Sequence, residues 1–225
     1  VYICGIDFLF ETPSSAWLVY AAAFTIIAAS LIALRQQNLK RLLAYSTVAQ
    51  LSYVVMAAAV LKPLAEVGAA IHMVAHAFGK ITLFFAAGAI YVAAKKTELH
   101  QLRGIGLRMP WTMGAFTVGA LSMIGVPPTG GFVSKWYILA GAFQAENLLV
   151  IFTIIASTVL NAAYFLPIIF MVWFAKEEVN NTEHGEAPML MVVALTTTAL
   201  LTVGFFLFNG PVIALETQLI EQPIP

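Results

Sequence analysis

From Ser15 to Leu34 the chain runs for 20 residues with no ionisable side chain other than Tyr20. Hydrocarbon about 30 Å thick needs roughly 20 apolar residues of helix to cross it, so this stretch is long enough for one crossing. Five further candidates follow, at about 42–61, 67–94, 111–145, 148–174 and 189–208. The turn Glu11-Thr12-Pro13-Ser14 opens the first, and Arg35-Gln36-Gln37-Asn38 separates it from the second, which has Lys40 and Arg41 at its entrance. Lys62-Pro63 ends the second, and Lys95-Lys96-Thr97-Glu98 ends the third. The fourth is interrupted by Gly125-Val126-Pro127-Pro128-Thr129-Gly130-Gly131, a run that reads as the break between two half-helices. Gly125, Pro127, Pro128, Gly130 and Gly131 are its expected hinge. The fifth carries Pro167, where a kink is expected, and the sixth follows a polar loop with Glu177, Glu178, Glu183, His184 and Glu186.

Composition agrees: 61% of the residues are hydrophobic and 10% charged, against roughly 45–50% and about 25% in an ordinary soluble domain. The expected fold class is therefore all-α and polytopic, with six transmembrane spans, one of them broken. No internal repeat or low-complexity linker divides the chain, so residues 1–225 are expected to form a single transmembrane domain. Eleven basic residues balance eleven acidic ones, which suggests no nucleic-acid partner. A lone cysteine, Cys4, forms no disulfide framework, and no Cys pair stands at metal-ligand spacing. The chain starts at Val1 without the features of a signal peptide, and an upstream part is expected to be missing.

Topology follows from the basic residues. With alternating loops, Arg35, Lys40, Arg41, Lys95, Lys96, Arg103, Arg108 and Lys176 fall on one side, and Lys62 alone falls on the other. The positive-inside rule places the first group in the cytoplasm and both termini outside.

Charges within the spans carry the chemistry. His72, His76 and Lys80 recur every fourth residue, within an arc of about 80° and over about 12 Å of helix. Ionisable groups at this depth cost several kcal/mol unless they face a polar cavity or one another. Lys80 is roughly 20 Å of helix from either end of its span, beyond the reach of a snorkelling stem. The i, i+4 histidines also match a pair of metal ligands, yet no nearby carboxylate or cysteine supplies a third, and no metal is expected. A satisfied structural pair and a proton relay both remain readings of them, with depth and company favouring the relay. Lys135, four residues after Gly131, falls where a helix break exposes backbone polar groups, or else anchors the chain at an interface. Lys40 and Arg41 begin a helix, where positive charge opposes the macrodipole; topology signalling and a place at the inner mouth of a pathway both account for them.

Three strings, Asn-Leu-Lys-Arg-Leu-Leu-Ala-Tyr-Ser-Thr-Val-Ala-Gln (38–50), His-Met-Val-Ala-His-Ala-Phe-Gly-Lys (72–80) and Gly-Val-Pro-Pro-Thr-Gly-Gly-Phe-Val-Ser-Lys (125–135), closely resemble the proton-conducting antiporter-like family. Its members are the large membrane subunits of Mrp-type cation/proton antiporters, of respiratory complex I and of membrane-bound hydrogenases. The resemblance implies a fold of two inverted repeats, of which this sequence looks like the second plus one helix. The first half-channel, with its glutamate–lysine pair, is expected before residue 1. By the same match Lys135 is the broken-helix lysine of an outlet half-channel, and His72, His76 and Lys80 form the central relay.

The expectation is thus a proton-translocating subunit of a multi-subunit Na+/H+ antiporter in a bacterial or archaeal cell membrane, partnered by other membrane subunits and the lipid bilayer. Its alternatives are a proton-pumping subunit of an NADH-quinone oxidoreductase or hydrogenase, and a non-transporting assembly subunit. The opening 30 residues and the string ending at Lys135 favour the antiporter. No quinone, flavin or iron–sulfur motif is present, so no cofactor is expected and any redox chemistry lies in other subunits.

Overall fold

The computed structural model describes residues 14–176 and 185–221. Cys4, the Glu11-Thr12-Pro13 segment, Glu177, Glu178, Glu183 and His184 lie outside the described residues. Among the described residues eight α-helices follow one another: α1 (Ser14–Leu34), α2 (Leu39–Ala59), α3 (Pro63–Ala94), α4 (Pro110–Ile124), α5 (Gly130–Gln144), α6 (Leu148–Phe174), α7 (Met189–Leu207) and α8 (Gly210–Glu221). Two short 3-10 turns, Leu99–Leu102 and Ile105–Leu107, bridge α3 and α4. Among the described residues the only extended pairing is one isolated bridge between Asn38 and Glu98. Helices satisfy their own backbone polar groups, the condition that hydrocarbon imposes on any crossing segment. Among the described residues five helices, α1, α2, α3, α6 and α7, are long and apolar enough to cross a membrane.

Several boundaries differ from the sequence expectation. The third span starts four residues early, at Pro63, because proline suits the first helical position and Lys62 is already extended, at φ −126° and ψ 136°. Glu66 is thereby drawn into the first turn of α3 and buried. The break in the fourth span is shorter than 125–131: Gly130 and Gly131 open α5 instead of belonging to the hinge. Their lack of a side chain serves packing, since a Cβ on Gly131 would run into the Ser122 carbonyl. Gly125, at φ 90°, ends α4 in the left-handed conformation that glycine adopts without strain. Pro167 is accommodated inside α6, which continues to Phe174. The 12-residue α8 had no counterpart in the sequence reading.

α3 is the hub, packed against α2, α4, α5, α7 and α8, while α1 packs on α2 and α6. Close approach needs small residues, as is usual between membrane helices. At Gly141 of α5 an added Cβ would lie 2.5 Å from the Ala65 nitrogen of α3. Three apolar clusters result, the largest joining Leu42, Leu83, Ile90, Phe116, Phe165 and Leu195 from five helices. Large apolar side chains such as Trp17, Phe24, Phe152 and Leu190 point outward, the inverse of a soluble surface.

Loop polar groups are tied down. Asn38 caps α2 by accepting from the Arg41 N–H at 3.2 Å and donates to the Glu98 carboxylate at 3.0 Å. Glu98 in turn forms a capping box with Gln101. At the start of α4, Glu186 reaches in from the loop before α7, accepting from the Trp111 N–H at 3.0 Å and the Thr112 hydroxyl at 2.5 Å. Its carboxylate closes the α4 N-terminus, where a negative charge complements the macrodipole.

Candidate functional site

α4 and α5 each contain 15 residues, about 22 Å of helix, and so neither is long enough alone to cross a bilayer. Where α4 stops, its last carbonyls have no intrahelical partner. Lys135, on the second turn of α5, fills that gap: its ammonium donates to the carbonyls of Met123 at 3.0 Å and Ile124 at 2.9 Å, and to the Thr158 hydroxyl at 3.4 Å. It also lies over the Tyr53 ring, 5.4 Å from the centroid. Lys135 is buried at 7% exposure, so the interfacial-anchor reading does not describe it.

Tyr53 stacks in turn on His72, with centroids 5.4 Å apart, and His72 stacks on His76 at 6.1 Å. His72 Nδ1 is 2.9 Å from the Ser134 hydroxyl, which lies 3.0 Å from the Gly131 carbonyl. When the hydroxyl donates to Gly131 it accepts from His72 Nδ1–H and Nε2 is the basic nitrogen; when it turns to donate to Nδ1, the proton sits on Nε2. Among the described residues, His72 Nε2 and His76 Nε2 are buried and have no hydrogen-bond partner. One turn on, Lys80 donates to the Leu43 carbonyl of α2 at 3.1 Å, an oxygen that also accepts from Thr47 at 2.8 Å. Both lysines are thus held by acceptors alone, with no carboxylate among the described residues bonded to either.

The structure brings Lys80, His76, His72 and Lys135 into one buried band between α2, α3, α5 and α6. It leaves Lys40 and Arg41 outside that band: both are exposed, and the Lys40 ammonium lies 5.0 Å from the Tyr91 ring, which Lys95 approaches at 5.1 Å. Of the expected hinge, Pro127 and Pro128 are exposed and Gly125 touches the Lys135 stem, since a Cβ there would lie 2.9 Å from Lys135 Cδ. No cluster of three or more metal-ligating side chains occurs among the described residues.

α6 matches the expected fifth span, and it also carries polar residues not among the expected site residues. Thr153, Ser157, Asn161 and Tyr164 recur at spacings of four, four and three, and all four are buried on one face of a helix that is apolar elsewhere except at Thr158. Asn161 donates to the Met123 carbonyl at 3.3 Å, and Tyr164 bonds Asn161 Oδ1 and, at 3.0 Å, Ser46 of α2. A polar stripe in a hydrophobic span is a readable signal, equal in kind to the histidine stripe of α3.

A family model described as "NADH:quinone oxidoreductase/Mrp antiporter, TM" matches residues 3–161, and the chain belongs to this family. NADH-quinone oxidoreductase subunit N of Desulforudis audaxviator (strain MP104C) is 42% identical over 158 residues, 70% of this chain and 32% of the relative. NADH-quinone oxidoreductase subunit L of Rickettsia bellii (strain RML369-C) is 34% identical over 210 residues, 92% of this chain and 32% of the relative. The chain thus spans about a third of the length of these curated relatives. Among solved structures, the Mrp complex from Dietzia sp. DQ12-45-1b aligns with a TM-score of 0.88 over 95% of this chain and 48% of that one. At 18% identity that likeness shows a shared fold. A polytopic, multi-pass membrane protein of the antiporter-like fold is the class that the helices and the family define.

Proposed function

We propose that this chain moves protons along Lys80, His76, His72 and Lys135 within a hetero-oligomeric membrane complex. The observation that carries the reading is the Lys135–Tyr53–His72–His76 stack, which joins the α4–α5 break to the interior of α3. Centroid separations above 5 Å are too long for direct transfer, so the proton passes through bridging waters between the free Nε2 nitrogens and the lysines. Each lysine alternates between ammonium and amine as its neighbours change charge. α4 and α5 act together as one broken crossing, and the basic loops face the cytoplasm of a bacterial or archaeal cell, with both termini outside.

Two contexts compete for the driving force. The relatives at 42% and 34% identity are named as NADH-quinone oxidoreductase subunits, which supports a redox-driven assembly. The string ending at Lys135, with its resemblance to the Mrp-type members, supports exchange of sodium for protons. Iron content of the native complex isolated through this chain separates them: several irons per chain mark the redox assembly, and iron-free complex with sodium-driven proton flux marks the antiporter. In either context Lys80→Arg cripples proton flux in reconstituted vesicles, because a guanidinium does not release its proton. Normal coupling in that variant removes Lys80 from the relay.

A further inference from the structure

The Met123 carbonyl receives three side-chain donors: Lys135 Nζ at 3.0 Å, Asn161 Nδ2 at 3.3 Å and Gln50 Nε2 at 3.4 Å. A carbonyl oxygen has two lone pairs, so the three donors compete. They come from α5, α6 and α2, and all three residues are buried. Taking the relay reading as its basis, we infer that Asn161 and Gln50 are positioning residues that set how tightly Lys135 holds its proton, by competing with the ammonium for the Met123 carbonyl.

The physical sequence is short. With Lys135 charged, its ammonium is the strongest donor and dominates the carbonyl. Once the proton leaves, the amine is a weak donor, and a buried carbonyl left without a partner costs the full desolvation of that group. Asn161 and Gln50 stand ready to satisfy it, so they stabilise the neutral state of Lys135 relative to the charged one. Asn161 is aimed for this. Its Oδ1 can only accept, so the Tyr164 hydroxyl, which also lies 3.0 Å from the Ser46 hydroxyl, donates to it and leaves Nδ2 directed at Met123. The titratable groups around Lys135 are Tyr53 of α2, His72, His76 and Lys80 of α3, and Tyr164 of α6; α4 and α7 contain none, and α5 adds only Tyr137.

The test is the pH profile of proton flux through the reconstituted complex carrying Asn161→Leu, Gln50→Leu or Tyr164→Phe. Removing one competing donor leaves the carbonyl to the ammonium, so the pH of half-maximal flux rises by about 0.5–1 unit in the two leucine variants, the scale of one hydrogen bond. Tyr164→Phe, which only loosens Asn161, moves it the same way by less. A purely structural role lowers the amplitude and leaves the midpoint in place; an unmoved or lowered midpoint overturns the inference. Gln50→Leu, on a different helix, carries the test if Asn161→Leu does not assemble. Lys135→Ala serves as the control: full flux in that variant removes the relay reading itself, whereas lost flux together with an unmoved midpoint in the leucine variants removes only the role of Asn161 and Gln50.

Discussion

Glu186 and Lys135 occupy opposite ends of α4: the carboxylate accepts from the Trp111 and Thr112 N–H groups at its start, and the ammonium donates to the Met123 and Ile124 carbonyls at its end. Each charge has the sign that the local end of the helix dipole favours. A 15-residue helix broken inside a membrane protein would otherwise leave orphan groups at both ends. Neither residue belongs to α4 itself, so the half-helix is held by α5 and by the loop before α7.

Glu186→Ala removes the cap from the α4 N-terminus. By the usual worth of an N-cap it destabilises the subunit by about 1–2 kcal/mol, seen as a lower melting temperature of the purified complex. Glu186→Gln keeps one accepting oxygen and loses the charge, so its melting temperature falls between those of Glu186→Ala and the parent. Identical melting of all three forms would show that the carboxylate does not hold α4.

Gly131→Ala tests the closeness of α5 to α4. An added methyl at this position overlaps the Ser122 carbonyl, a backbone atom that cannot swing aside. Overpacking costs roughly 1–3 kcal/mol, and here it also pushes Lys135 away from the α4 carbonyls. Proton flux should therefore fall more than thermal stability does. A fully active Gly131→Ala complex would mean that the two half-helices separate without consequence.

Ser134→Ala addresses the orientation of His72. Without the hydroxyl, His72 Nδ1 loses its buried partner and the hydrogen bond that orients the ring. Flux should drop by about tenfold, the factor that corresponds to one lost buried hydrogen bond. Ser134→Thr retains the hydroxyl and should restore most of it. Equal flux in the alanine and threonine variants would mean that His72 needs no orientation.

Much of this was legible before any coordinates. Apolar runs of membrane length mark the spans, and His72, His76 and Lys80 stand out because ionisable groups at that depth are costly unless they face a polar cavity or one another. What could not be read was tertiary. Gly130 and Gly131 look like helix breakers in sequence, and only the approach of Ser122 shows that they begin a helix. Lys135 is ambiguous between interface and interior until the α4 carbonyls are placed around it. Asn161 and Tyr164 carried a visible stripe, but their partners, Met123 and Ser46, are 38 and 118 residues distant in the chain.

The most direct test of the relay is proton flux through vesicles carrying the native complex with Lys135→Ala, alongside a check that the complex assembles in normal yield. A path through Lys135 predicts normal assembly and flux reduced to the background of vesicles without the complex. Normal assembly with undiminished flux would contradict it.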